Sequence, residues 1–134
     1  MASALYPQTS LSPTVNISVA NTNLDGLTGA YGVVATGSTG MDEIDVVYIQ
    51  ATGTTTLGMI RLWLHFQSSN TALATVLVQI VVKAVTPNVS EEQGVWQGSH
   101  QFNPPLRLPT GTSLRASTHI GEGFNITAQG VKYT

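Results

Sequence analysis

The chain has 134 residues and no cysteine, so disulfides, zinc–thiolate centres and thiol catalysis are all excluded. Only 9% of the residues are charged and the formal net charge is -2, with five Lys and Arg in total. That is too few for a phosphate-binding track, so no nucleic-acid partner is expected.

Residues 1–13 come first and stand apart. Pro7 and Pro13 bracket a polar stretch, Gln8-Thr9-Ser10-Leu11-Ser12, with Leu5 and Tyr6 in front. Proline favours extended chain and removes amide donors. The expectation is an arm outside the fold whose Leu5 and Tyr6 dock on a neighbouring subunit. The start lacks a basic region followed by an apolar one, so no signal peptide is expected there. Without one, the Asn-x-Ser/Thr triplets at Asn16, Asn88 and Asn125 carry no weight as glycosylation sites.

From residue 14 onward, short runs rich in Val, Ile and Thr alternate with Gly, Pro and Asn turns. Eight strands are expected: 14–20, 31–36, 43–51, 58–67, 73–85, 94–102, 113–119 and Phe124–Tyr133. In the third, alternation places Ile44, Val46 and Tyr48 on one face and Val47 and Ile49 on the other. The fifth reads as a strand rather than a buried helix because Val76, Val78, Ile80, Val81 and Val82 are β-branched. No apolar run approaches the roughly 20 residues of a membrane-spanning helix. One all-β domain over 14–134 follows, an eight-stranded antiparallel β-sandwich of jelly-roll type with an extended N-terminal arm.

Candidates for chemistry are sparse. Asn21-x-Asn23-x-Asp25-Gly26 copies the first half of a calcium loop, oxygen side chains at alternate positions with a Gly at the turn. The twelfth position is Gly32, where a bidentate Glu belongs, so an Asx-rich turn is the simpler reading. His65, His100 and His119 fall on three different expected strands, and His65 shares a face with Met59, Arg61 and Trp63. Asp42, Glu43 and Asp45 could form a glycosidase pair, but they read better as the charged end of a strand. No nucleophile–base set accompanies them, so no enzyme and no cofactor are expected. Trp63 and Trp96 are candidates for partner or oligomer contacts, Trp being enriched in cores and interfaces. Trp96 and Tyr31 would serve a carbohydrate-binding module if their rings stood exposed on loop tips.

Three stretches carry a family resemblance. They are Ser18-Val19-Ala20-Asn21-Thr22-Asn23-Leu24-Asp25-Gly26, then Ala51-Thr52-Gly53-Thr54-Thr55-Thr56-Leu57-Gly58-Met59-Ile60-Arg61-Leu62, then Leu108-Pro109-Thr110-Gly111-Thr112-Ser113-Leu114-Arg115-Ala116-Ser117-Thr118-His119. In this order and spacing they resemble small structural proteins of tailed bacteriophages, some of them capsid decoration, or cement, proteins. The resemblance spans about residues 20 to 130. It implies a jelly-roll protein that sits as a homotrimer on the outside of the virion head and clamps neighbouring major capsid subunits. It offers no catalytic residues. One departure is the turn after the fourth strand, Gln67-Ser68-Ser69-Asn70, where related sequences often carry Asp-Gly. The alternative is a carbohydrate-binding or host-adhesion module of a phage head or tail fibre, or a tail or neck component.

Overall fold

The computed structural model describes residues 8–68, 70–88 and 94–133. Nine strands run through them: β1 (Gln8–Leu11), β2 (Thr14–Ile17), β3 (Gly32–Thr36), β4 (Asp42–Ala51), β5 (Gly58–Ser68), β6 (Thr71–Val82), β7 (Gln97–Leu108), β8 (Thr112–Thr118) and β9 (Phe124–Tyr133). One sheet is ordered β1-β9-β4-β7, with β2 also paired to β9; the other is ordered β3-β8-β5-β6. All strand pairings are antiparallel. The pairs β2·β9, β3·β8, β4·β7 and β5·β6 nest inside one another about the β5–β6 turn, which is the topology of a jelly roll.

Period-two alternation fills the space between the sheets. Ile44, Val47, Ile49, Phe124, Ile126 and Ala128 from the first sheet meet Val34, Ile60, Leu62, Leu114 and Ala116 from the second. Leu108 and Val82 are also fully buried in this cluster. Trp96 closes one end, its ring edge-on to Phe124 with centroids 6.1 Å apart.

The all-β sandwich agrees with the expectation, and three details correct it. Gln8–Leu11 pairs with Tyr133–Gly130 of β9, so this part of the arm is an edge strand of the sheet. The Ala128 amide also bonds the Pro13 carbonyl at 3.0 Å, which ties the β1–β2 junction to the same strand. Pro is tolerated there because an edge strand needs no inner donor. Leu5 and Tyr6 lie outside the described residues. β7 continues past residue 102, through Pro104 and Pro105, to Leu108; it too is an edge strand.

The third correction concerns β4. Asp45 is an extra residue between Ile44 and Val46 against β9, where the partners are the adjacent Gly130 and Gln129. Such a bulge reverses the alternation. Ile44 therefore turns inward with Val47 and Ile49, while Tyr48 points to solvent. Gly130 makes the bulge feasible: a Cβ there would run into the Glu43 carbonyl.

Gly130→Ala must displace the backbone of a central strand, and overpacking of this kind costs about 1–3 kcal/mol. Gly53 has nothing within 4 Å of a built Cβ and no positive φ, so Gly53→Ala leaves stability unchanged or slightly raised. Urea unfolding of the two variants checks the contrast; equal midpoints would contradict the bulge account.

Candidate functional site

The outer face of the β3-β8-β5-β6 sheet carries Arg61, Trp63 and His65 from β5 opposite Ser117, Arg115 and Ser113 of β8. Trp63 and His65 are nevertheless almost fully buried. The cover over Trp63 is the loop between β2 and β3, whereas His65 sits among Val33, Thr36, Ser113 and Arg115. Gly26 comes so close that a built Cβ would lie 2.5 Å from the Ala74 methyl and 2.6 Å from Trp63 Cε3. Its φ of 73° is one that glycine adopts without strain. Tyr31 meets the Trp63 ring edge-on at 6.2 Å, and Trp63 Nε1 donates to Ser117 Oγ at 2.9 Å.

The Asn/Asp motif builds this cover. Asn21 Nδ2 donates to the carbonyls of Thr28 (3.1 Å) and Ala30 (2.9 Å), and Asn21 Oδ1 accepts from the Asn23 amide. Asn23 Nδ2 donates to the Thr28 carbonyl. Asp25 Oδ1 accepts from the amides of Leu27 and Thr28, both at 3.0 Å, and Oδ2 from Thr28 Oγ1 at 2.6 Å. Two of the three candidate ligands thus aim amide donors inward, and the carboxylate is spent on the loop itself. This is an Asx-turn framework, and the arrangement does not fit a cation. The Thr28 hydroxyl first, then the two amides, hold the Asp25 carboxyl down at about 2.

The other expected residues do not converge. His65 is buried in the second sheet, His100 lies on β7 against Phe102, and His119 is exposed beyond β8. Among the described residues no three His, Asp or Glu side chains gather to hold a metal. The acids of β4 are separately engaged. Asp42 is buried and accepts from Ser38 Oγ at 2.7 Å, whereas Glu43 faces Arg107 at 3.3 Å and the Tyr133 hydroxyl. As contact candidates, Trp63 and Trp96 are corrected: one lies under its own loop, the other in the core. Tyr31 is half-buried against Trp63, so neither ring of the proposed sugar platform stands free.

What is exposed lies elsewhere. β6 is the outer strand of its sheet, and no described strand pairs with its far edge. It presents Leu73 at 61%, Val81 at 53% and Val76 at 39% exposure, with Phe66 of β5 paired beside Leu73. Leu24 and Leu27, exposed on the covering loop, flank Gly26, which contacts Ala74 of the same strand. Twelve residues with no charge and no proline make up β6. The composition of 73–85 showed this apolar strand, but its place at an edge depends on strand order, which the sequence does not contain.

No protein-family model and no curated protein matches this chain. Among solved structures it is similar to the Clostridium thermocellum N-terminal endo-1,4-β-D-xylanase 10B, CBM22-1–GH10 modules complexed with xylohexaose. The identity is 14% and the TM-score 0.45, over 95% of this chain and 26% of that one. The present chain thus spans about a quarter of the xylanase chain.

Two outcomes follow from the covered face. Burial, then the Arg115 charge, pushes the His65 pKa below its usual 6.5. Above pH 6.5 both folded and unfolded forms are neutral at this site. Below it the unfolded chain takes a proton that the folded imidazole resists. Stability therefore falls as pH drops through 6.5 towards the folded value, by at most about 1.4 kcal/mol per pH unit, and His65→Gln flattens that segment of a urea-midpoint profile. Separately, Asp25→Ala frees the loop, so acrylamide quenching of Trp63 rises, while calcium leaves the melting temperature of the parent chain unchanged.

Proposed function

We propose that this chain is a non-catalytic virion structural protein, a decoration or cement protein of a phage head. In this reading it is made in the host cytoplasm and assembles as a homotrimer on the outer surface of the capsid. There it holds contacts between major capsid subunits together.

The observation that supports this best is the outer edge of β6, with which no described strand pairs. Natural sheets blunt their edges with short strands, proline, charge or bulges. Three of the four edges here do so. β1 and β2 are four residues each, β3 is five with a bulge, and β7 carries Pro104, Pro105 and Arg107. β6, roughly 40 Å long at 3.4 Å per residue, has only the register shift near Leu77. An exposed apolar edge of this length calls for cover by another chain. A standard contact takes about 800 Å² from each partner, about a tenth of this chain's 7698 Å² surface.

In a threefold ring each protomer's Leu73, Val76 and Val81 pack on the flank of the next, a head-to-tail contact that closes on itself. Three copies on one knob then grip the shell together, and their combined hold exceeds that of one copy through avidity. The low charge density keeps such contacts insensitive to salt. The family resemblance supplies the capsid as the partner.

Light scattering on the purified protein tests the assembly. The expected mass is that of three 14.1 kDa chains, about 42 kDa. A monomer at high concentration, or a dimer joined edge to edge through β6, would overturn the ring. Leu73→Lys together with Val81→Lys is expected to give a monomer with its melting transition intact, because both side chains already face water. Adding the parent protein to heads that lack it should raise the temperature at which they release their genome; equal release with and without it would remove the clamp.

A further inference from the structure

The opposite side of the sandwich carries a surface of another kind. On the outer face of the β1-β9-β4-β7 sheet, strand register aligns two rows of side chains across four strands. Thr14 opposes Thr127, which opposes Tyr48, which opposes Ser99. Next to this hydroxyl row, Asn16 opposes Asn125, which opposes Gln50, which opposes Gln97. At about 4.8 Å per strand the rows are roughly 14 Å long. The Thr14 and Thr127 hydroxyls are 2.9 Å apart, and Asn16 Nδ2 donates to Asn125 Oδ1 at 2.9 Å. Tyr48, Gln50, Gln97, Ser99, Asn125 and Thr127 line an open depression of about 320 Å³.

Charge is absent from this half of the sheet. Its charged residues, Asp42, Glu43, Asp45, Arg107 and Lys132, all sit at the other end, at or beyond the Asp45 bulge. Each amide offers two donors and an acceptor, and each hydroxyl offers one donor and accepts. In the middle lies one aromatic ring, Tyr48, 48% exposed. A protein contact wants an apolar centre, which these rows lack. An anion would need cations. The occupant that matches is one whose own surface alternates hydroxyl donors and acceptors with apolar C–H faces, and which enters a trough open across the sheet without presenting a chain end.

We propose that the Tyr48 trough binds a neutral polysaccharide, with the Asn16–Asn125–Gln50–Gln97 row bonding its hydroxyls and the Tyr48 ring stacking on a sugar face. One aromatic platform makes single-site binding weak, and an oligomer strengthens it by multivalency. The site is on the sheet opposite β6, so it stands or falls separately from the assembly.

Affinity electrophoresis of the full chain through gels containing hydroxyethylcellulose, xylan, galactomannan, dextran or a neutral lipopolysaccharide O-polysaccharide tests it, with heparin as the charged control. At least one neutral polymer should retard the parent, with no change between low and high salt, and heparin should not. Tyr48→Ala and Gln50→Ala should each weaken retardation at least tenfold, while Tyr48→Phe keeps most of it. Leu73→Lys, on the other sheet, should keep the same affinity for a short oligosaccharide of the retarding polymer. If no neutral polymer retards the protein, or if Tyr48→Ala runs as the parent does, the trough is not a glycan site.

Discussion

The nested antiparallel pairing of strands about the β5–β6 turn is the constraint on which the rest depends. Because β2 returns to β9, β3 to β8 and β4 to β7, the chain behaves as one long hairpin rolled into two layers. The roll makes the faces of β9, β4, β8 and β5 continuous and puts β6 and β7 at the rims. It also forces nearly every connection to cross from one sheet to the other. The loop between β2 and β3, residues 18–31, is one of the two longest crossings, and it lies across the outside of the second sheet. Trp63 is buried for that reason: it occupies an outward position on β5, and its own chain covers it.

This cover explains what the most conspicuous motif in the sequence does in the fold. Asn21, Asn23 and Asp25 satisfy amides and carbonyls that a tight irregular loop would otherwise leave unpaired over an apolar ring. The same side-chain chemistry suits calcium, and only the direction of the amide groups separates the two. Asp25, low in pKa through its bonds to Thr28 and Leu27, loses its part in the loop as pH falls from 3.8 towards 2. His65 acts in a different window, below 6.5, so acid weakens the cover and the sheet beneath it in two separate stages.

Much of the strand pattern was legible because period-two alternation and β-branched content are local signals. Seven of the eight expected segments begin and end within a few residues of an observed strand; the sixth, expected over 94–102, starts at Gln97 and runs on to Leu108. The misses share a cause. Pro13, Pro104 and Pro105 read as breaks, yet each lies in or beside an edge strand, where the lost donor is not needed. The Asp45 bulge moved Ile44 to the face of Val47 and Ile49, and nothing local marks it, because its partner Gly130 is 85 positions away in sequence. The Tyr48 trough was hidden by strand order and register. Asn125-x-Thr127-x-Gln129 and Gln97-x-Ser99-x-Gln101 showed the polar alternation, and only the folded register joins them to Tyr48 and Gln50. Trp63 and Trp96 misled in the opposite sense: large rings suggest contacts, but the size that suits an interface suits a core as well.

The two exposed surfaces differ in a way that composition alone averages away. With 9% charged residues, the chain cannot use charge to keep both of its faces apart from other molecules. One rim, β6, is apolar and uncharged, and hiding it from water is favourable wherever a partner of similar character is within reach. The half of the opposite sheet around Tyr48 is equally uncharged but saturated with hydroxyls and amides, which gain little from apolar contact and much from a partner that returns their hydrogen bonds. Presented by several copies side by side, such a polar face is one on which a weak neutral contact becomes a lasting one.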